Sequence, residues 1–345
     1  MKEFEIEGKL GASKILTCAK ASELKELVGD RRAAVITDDN VARLYKLPLK
    51  VAHVIDVRPG EDSKSLDSAR SIYMRLMKGE MDRGTMIVGF GGGVVCDLAG
   101  FVASTYLRGI PFGFVPTTLL SQVDAAIGGK NGVNLEGYKN LVGTFTQPEF
   151  VLCDIEFLKT LPAEEMREGM AEALKAGAIA DAGLFELIER TADKLSEHDE
   201  GLLAEIVERA VAVKVKIVNA DERESGARRL LNFGHTFGHA LERTTSMRHG
   251  TAIAAGMIVA ANLSVALNLL AREDAERLTL ALRRLGLATS TEVNVGAAID
   301  AVRKDKKRYG DSIEFVLLDG IGSALTKRIK IDELAEVAND LRKHL

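Results

Sequence analysis

Three of the six histidines fall in one stretch, RRLLNFGHTFGHALERTTSMRHGTAIAAGM, residues 228–257. His235 and His239 lie four apart in a helical pattern, so both imidazoles leave one face a turn apart. His249 follows a polar break, SMRH, and precedes Gly250, where the chain can turn and bring a third imidazole to the same point. Neutral imidazole is the commonest protein ligand for zinc and similar ions, and a catalytic site takes three protein ligands and leaves one position open. An HxxxH pair on an apolar helix also describes two hydrogen-bonded core histidines, and spacing alone does not separate the two readings.

Other chemistry-bearing residues stand in apolar or glycine-rich surroundings. Glu172 and Lys175 are three apart on an otherwise apolar helical face, GMAEALKAG. Burying such a pair is costly unless the two neutralise each other or bind something, so Glu172 is either half of an internal ion pair or the oxygen ligand of a two-histidine, one-carboxylate metal site. Lys214 and Lys216 sit inside an apolar helix, and Glu224, Arg228 and Asn232 follow at intervals of four, able to share a face. QVDAAIGGKNGVNLEGYKNLVGTF (122–145) places Asp124, Lys130, Asn134, Lys139 and Asn140 in a stretch that reads as largely loop. Lysines there suit a phosphate or carboxylate ligand, as compact point charges. GFGGGVVCDLAGF (89–101) follows a strand and opens a helix, the context in which backbone N–H groups meet a pyrophosphate. Its spacing is not the usual GxGxxG, and a tight turn explains it equally well.

These residues need elements to carry them. AAVITDDN (33–40), VAHVIDV (51–57), TMIVGFGGG (85–93), FGFVPTT (112–118) and FVLCDI (150–155) read as buried strands, with a helix over 66–79 between two of them. The alternation predicts a mainly parallel, Rossmann-like sheet, whose ligands lie beyond the carboxyl ends of its strands. From LPAEEMREGMAEALKAGAIAD (161–181) the pattern turns helical, with further helices at 201–222, 273–286 and 331–345 and a hairpin after the basic stretch near Lys306 and Lys307. The expected architecture is an α/β domain over 1–158, a mostly helical domain over 159–345, and an active site in the cleft between them.

Composition narrows the class. At 345 residues the chain exceeds one ordinary core, and 46% apolar with 28% charged residues describes a globular protein. A net charge of −4 gives no attraction to nucleic acid or anionic membrane. Cys18, Cys96 and Cys153 form no CxxC pair, which fits a reducing, cytoplasmic setting and inert core thiols. The N-terminus has no signal-peptide core. Residues 251–271 are uncharged for long enough to span a bilayer, but Asn262, Ser264 and Asn268 interrupt them, and a buried helix is expected.

Taken together, the blocks GGGVVCDLAGFVASTYLRG (91–109), VPTTLLSQVDAAIGGKNGVN (115–134), KNLVGTFTQP (139–148), GMAEALK, LLNFGHTFGHALE (230–242), HG (249–250) and DKK (305–307) resemble the 3-dehydroquinate synthase family over nearly the whole chain. The resemblance implies conversion of 3-deoxy-D-arabino-heptulosonate 7-phosphate to 3-dehydroquinate and phosphate, with NAD and one zinc or cobalt ion. It makes Glu172, His235 and His249 the metal ligands and moves His239 beside the metal. NAD would meet Asp38, Asn40, Glu61, Lys64, Gly92, Gly93, Asp97, Thr117, Thr118 and Lys139. Substrate would be held by Arg108, Asp124, Lys130, Lys139, Asn140, Lys175, Lys214, Arg228, Asn232 and Lys306. Glu224, His239, Lys130, Asn140 and Arg228 would be catalytic, Glu224 as a proton acceptor. A homodimer is also implied. Cys96, Thr251 and Glu168 depart from the residues the family commonly has there, namely glycine, glutamate and a polar uncharged residue. The change at Thr251 leaves the support of His249 open. The rival readings are another sugar phosphate cyclase and a metal- and NAD-dependent polyol dehydrogenase.

Overall fold

The computed structural model describes residues 1–9, 11–193, 199–244, 247–287, 312–330 and 333. The chain divides into two compact units, Met1–Met166 with Glu200–Arg223, and Arg167–Asp199 with Glu224–Leu345.

The first unit is built on a seven-stranded sheet. Its strands are β1 (Lys2–Gly8), β2 (Gly11–Thr17), β3 (Ala33–Asp38), β4 (His53–Val57), β5 (Met86–Gly91), β6 (Phe112–Pro116) and, after a separate hairpin of β7 (Lys130–Leu135) and β8 (Tyr138–Phe145), β9 (Phe150–Cys153). The order is β1-β2-β9-β6-β5-β3-β4, parallel throughout except for the β1–β2 pair. All five strands expected from the apolar runs are present. Helices α1 (Leu24–Val28), α2 (Asp39–Leu44), α3 (Leu66–Lys78) and α4 (Gly93–Thr105) alternate with them. Asp38, Ser65 and Gly79 bound α2 and α3 as caps, as short polar side chains and glycine do. β4 lies outside β3, and the chain then crosses to β5, β6 and β9, so the strand order reverses between β3 and β5. Their carboxyl ends, Asp38 and Gly91, flank that switch point, where sheets of this kind bind ligands.

Two stretches differ from the sequence reading. Residues 130–145 are a β-hairpin, not a loop, with Glu136 and Gly137 both at positive φ in its two-residue turn (49° and 77°). Glycines and lysines weaken its strand signal, yet Asn131, Gly132 and Val133 are buried and supply the packing that propensity lacks. β1 alternates apolar and charged residues, KEFEIEG, and pairs with β2 at the sheet edge.

The chain continues through α5 (Ala163–Ala180) and α6 (Ala182–Thr191) before α7 (Glu200–Ala220). By sequence α7 falls in the helical domain, but it packs with the sheet unit. There Asn219 donates to the Glu5 carbonyl at 3.0 Å and accepts the Glu7 N–H at 3.2 Å. Its amide satisfies edge groups of β1 that would otherwise be open to another strand.

The second unit holds α5 beyond Met166, α6, α8 (His235–Thr244), α9 (His249–Ala266), α10 (Arg272–Arg284) and a hairpin of β10 (Ser312–Gly320) and β11 (Ser323–Lys330). Phe237 and Leu241 of α8, Ala252, Val259 and Leu263 of α9, and Phe315 and Leu317 of β10 form one core, with Phe237 stacked on Phe315 at 5.4 Å. α9, His249–Ala266, takes in most of the apolar run long enough to cross a bilayer, and 67% of it is buried within the protein. The expected helix at 331–345 lies outside the described residues.

The α8–α9 crossing depends on Gly256. A Cβ there would lie 2.0 Å from the Gly234 carbonyl oxygen and 2.7 Å from the Gly238 nitrogen, both backbone atoms that cannot swing aside. Gly256→Ala is therefore expected to destabilise the protein by roughly 1–3 kcal/mol, read as a lower urea midpoint at unchanged m-value. An unchanged midpoint would show that the crossing adjusts freely.

Candidate functional site

In the second unit, the close crossing of α8 and α9 sets two imidazoles beside one carboxylate. Glu172, on α5, is 2% exposed. Its Oε1 lies 3.6 Å from His235 Nε2 and 3.4 Å from His249 Nε2, and accepts no hydrogen bond of good geometry from any described residue. Oε2 touches the Lys175 ammonium, itself buried. Both sequence readings of Glu172 are thus present at once: one oxygen is in an ion pair, and the other faces two imidazole nitrogens.

Each imidazole is oriented by a partner on its far side. The Phe233 carbonyl, which can only accept, lies 3.2 Å from His235 Nδ1, so that nitrogen carries the proton and Nε2 keeps its lone pair toward Glu172. His249 Nδ1 is 3.2 Å from Glu242 Oε1, the carboxylate–histidine arrangement that fixes a metal-ligating ring. Spacing did not single out Glu242. It stands one turn after His239 on α8, a position that also suits an ordinary surface glutamate.

The electrostatics follow from the burial. Desolvation pushes the Glu172 carboxyl up, but Lys175 and the two imidazoles outweigh it and hold the carboxyl well below its usual range. Burial, aided by Lys175, pushes His235 down to about 3, leaving it neutral as a donor must be. Burial also opposes charge on His249, but the Glu172 and Glu242 carboxylates beside the ring outweigh it and raise its pKa to about 10. The two carboxylates that draw a proton to that ring would equally draw a dication.

Glu172, His235 and His249 offer one donor atom each, all within 4.8 Å of one another. A second set, His239, Glu242 and His249, meets the same criterion. The three imidazoles expected from HxxxH plus His249 do not form a set of their own among the described residues. The His239 and His249 ring centroids are 6.3 Å apart, and His239 falls beside Glu242 instead of Glu172. Helical periodicity puts two rings on one face but says nothing of where a third element points.

Nearby, Asn232 Nδ2 donates to Glu224 Oε1, and Arg228 is buried in the same 3-10 turn, Ala227–Asn232. Lys306 lies outside the described residues.

The first unit carries the remaining expected residues: those at the carboxyl ends of β3, β5 and β6 lie about the switch point, whereas Arg108, which precedes β6, lies at the opposite end of the sheet. Asp38 Oδ1 accepts the N–H groups of Asn40 at 2.9 Å and Val41 at 3.0 Å. Gly92 and Gly93 open α4, whose N-terminus has no side-chain cap. Buried Lys64 pairs with Asp97; burial pushes that carboxyl up, and the ammonium offsets part of the rise. Thr117 donates its N–H to the Gly91 carbonyl at 2.9 Å, and the Thr118 hydroxyl bonds Ser121 at 2.8 Å. Glu61 accepts from Asn134 at 2.8 Å, and Asn134 in turn accepts the Asn140 N–H at 2.9 Å. α7 brings Lys214 onto Asp124. Lys130 and Lys139 stand exposed on the β7–β8 hairpin, and Arg108 is exposed after α4. Arg108 and Asn140 here, and Glu224 in the other unit, are among the non-glycine residues at positive φ, at 69°, 54° and 60°. Such strain persists where the surroundings enforce it, commonly at functional sites.

The family models described as 3-dehydroquinate synthase N-terminal and 3-dehydroquinate synthase C-terminal match residues 54–168 and 169–308. The chain belongs to the 3-dehydroquinate synthase family. It is 39% identical over 332 residues to the 3-dehydroquinate synthase of Campylobacter curvus, covering 93% of this chain and 95% of that one. To the 3-dehydroquinate synthase of Dehalococcoides mccartyi it is 42% identical over 317 residues, 88% of each. Among solved structures, 2-epi-5-epi-valiolone synthase from Streptomyces hygroscopicus subsp. jinggangensis, with NAD+ and Zn2+ bound, superposes with a TM-score of 0.86 at 27% identity, covering 100% of this chain and 99% of that one. The 3-dehydroquinate synthase C-terminal match takes in Glu172, His235 and His249 together.

The two overlapping donor sets make different predictions. If Glu172, His235 and His249 hold the ion, His235→Ala and His249→Ala lose bound zinc or cobalt, while His239→Ala keeps about one ion per chain. Elemental analysis after desalting reads the difference, and metal lost from His239→Ala but retained in His235→Ala would assign the ion to the other set.

Proposed function

We propose that this chain is a 3-dehydroquinate synthase, a lyase that converts 3-deoxy-D-arabino-heptulosonate 7-phosphate to 3-dehydroquinate with release of phosphate. The observation that carries the reading is the buried Glu172 oxygen facing two oriented imidazole nitrogens, in a family member whose relatives bear that name.

The residues fit both cofactors. One nitrogen from each of two imidazoles and one carboxylate oxygen are a zinc or cobalt donor set that leaves a position open in a catalytic site. For NAD, the uncapped start of α4 offers N–H groups to a pyrophosphate, at the carboxyl end of β5 beside the switch point. The bound metal of the 2-epi-5-epi-valiolone synthase structure, and its NAD+, support the same pair here. When bound, the nicotinamide takes up a hydride and returns it within one turnover, and the divalent ion polarises substrate hydroxyl oxygens.

The chain's own residues have separable tasks. The substrate is a flexible molecule with a carboxylate and a phosphate, so it must be held in one pose. Arg108, Lys130, Lys139, Lys175, Lys214 and Arg228 supply positive charge for that, and Asp124, Asn140 and Asn232 supply partners for hydroxyls. Glu224, held by Asn232, accepts a proton as a substrate hydroxyl is oxidised. The resulting ketone acidifies the neighbouring C–H; a phosphate oxygen of the substrate itself takes that proton, and the phosphate leaves by elimination with its charge countered by the lysines. After the ketone is reduced again the ring opens, and an intramolecular aldol addition closes the carbocycle, with His239 beside the metal site. The soluble family and the three free thiols, two of them buried, support a cytoplasmic enzyme, and the family also supports a homodimer.

Phosphate release from the heptulosonate phosphate, with no net NADH, is the expected result, and it should stop with chelator and return with zinc or cobalt. Accumulating NADH would identify a dehydrogenase instead, and no phosphate from this substrate would point to a different sugar phosphate cyclase. Lys130→Ala should weaken kcat/KM by about tenfold or more, the cost of one charged contact, with NAD affinity unchanged by fluorescence titration. Unaltered kinetics would leave Lys130 without a part in substrate binding.

A further inference from the structure

We propose that Glu168 is a positioning residue for the metal centre: from α5 it holds the start of α9, and so fixes where His249 presents its donor nitrogen. This rests on the metal reading above.

The need comes from the way α9 begins. Its first N–H groups have no intrahelical acceptors, and Arg248 at the N-cap has no acceptor in its side chain. No acidic residue stands in its first turn. The Ala252 N–H is met by the Arg248 carbonyl at 2.9 Å, the first bond of the helix. The Gly250 N–H is met from another element, by Glu168 Oε2. That carboxylate is 6% exposed, and it sits at the end of the helix where negative charge is favoured.

Glu168 also stands one turn before Glu172, so both side chains leave the same face of α5. One carboxylate takes the backbone of α9 at Gly250, and the next faces the imidazole of the adjoining residue, His249. Gly250 allows this closeness, since a Cβ there would lie 2.7 Å from Glu168 Cα. His249 is therefore fixed twice: its ring by Glu242, and its backbone by Glu168. A second buried acid one turn from Glu172 adds like charge to an already acidic site. The feature that explains its presence is its reach to the Gly250 N–H.

Reach and charge can be separated. Glu168→Gln keeps the length and the accepting oxygen without the charge; Glu168→Asp keeps the charge but is one methylene short. Metal-free wild type and the variants Glu168→Gln, Glu168→Asp and Glu168→Ala would be titrated with Co2+ in competition with a chromophoric chelator. The cobalt absorption spectrum and the melting temperature of each metal-free protein would be recorded alongside. Positioning predicts that Gln stays within about threefold of wild-type affinity, while Asp and Ala lose about tenfold and show an altered cobalt spectrum. Gln falling as far as Ala would make charge the operative property and overturn the inference. So would unchanged affinity in Asp and Ala with only a lower melting temperature, which describes a plain helix cap. Wild-type protein that takes up no cobalt would sink the metal reading itself, and this inference with it.

Discussion

A deeply buried carboxylate with few hydrogen bonds among the described residues is the constraint on which the helical unit turns. Glu172 is buried to 2% exposure, and its neighbours are one ammonium and two imidazoles. An arrangement of that kind persists only if every neighbour is held rigidly, because an uncompensated buried charge is among the most costly defects a protein can contain. Each supporting feature serves that rigidity. Gly256 lets α8 and α9 cross at backbone distance, the Phe233 carbonyl and Glu242 fix the two rings, and the Phe237–Phe315 stack fixes the face of α8 that turns away from them.

The sheet unit solves a different problem with different means. The positions expected to meet NAD there include backbone ends: the terminus of β3 at Asp38 and the start of α4 at Gly92. Backbone groups at strand and helix ends cannot be moved by rotamer changes, which suits recognition of a phosphate-bearing ligand of fixed shape. Asn134 ties the segment of Asn140 to that of Glu61 and Lys64, accepting the Asn140 N–H and donating to Glu61, while its own N–H goes to the Lys64 carbonyl at 2.7 Å.

Much of this was legible in the chain, and the exceptions have physical reasons. Apolar β-branched runs marked five of the six parallel strands, most clearly the inner ones, because strands buried on both faces must be apolar throughout. Glu172 and Lys175 stood out because charge on an apolar helical face needs a partner. The β7–β8 hairpin was hidden because Gly132, Gly143 and the lysines are poor strand formers, and packing, not propensity, makes them strand. The place of α7 was hidden because amphipathic spacing announces a helix without saying what it covers. Spacing could not place His239 for a similar reason: a spacing of four fixes a shared face, whereas the donor set a ring joins depends on what α5, far earlier in sequence, and the next helix bring to it. Nothing in the spacing pointed to Glu242.

The excursion of α7 has a further consequence for how the protein is made. Because Glu200–Arg223 belongs with Met1–Met166, the sheet unit is not a contiguous piece of chain. During synthesis, which tends to let N-terminal domains fold as they emerge, the edge of β1 stays without Asn219 until the ribosome has passed the whole of Arg167–Asp199. At ribosomal speeds of roughly 5–20 residues per second that interval lasts a few seconds. An unpaired strand edge is a template for aggregation, and the glutamates along KEFEIEG, by keeping nascent copies apart, are suited to protect it during that wait.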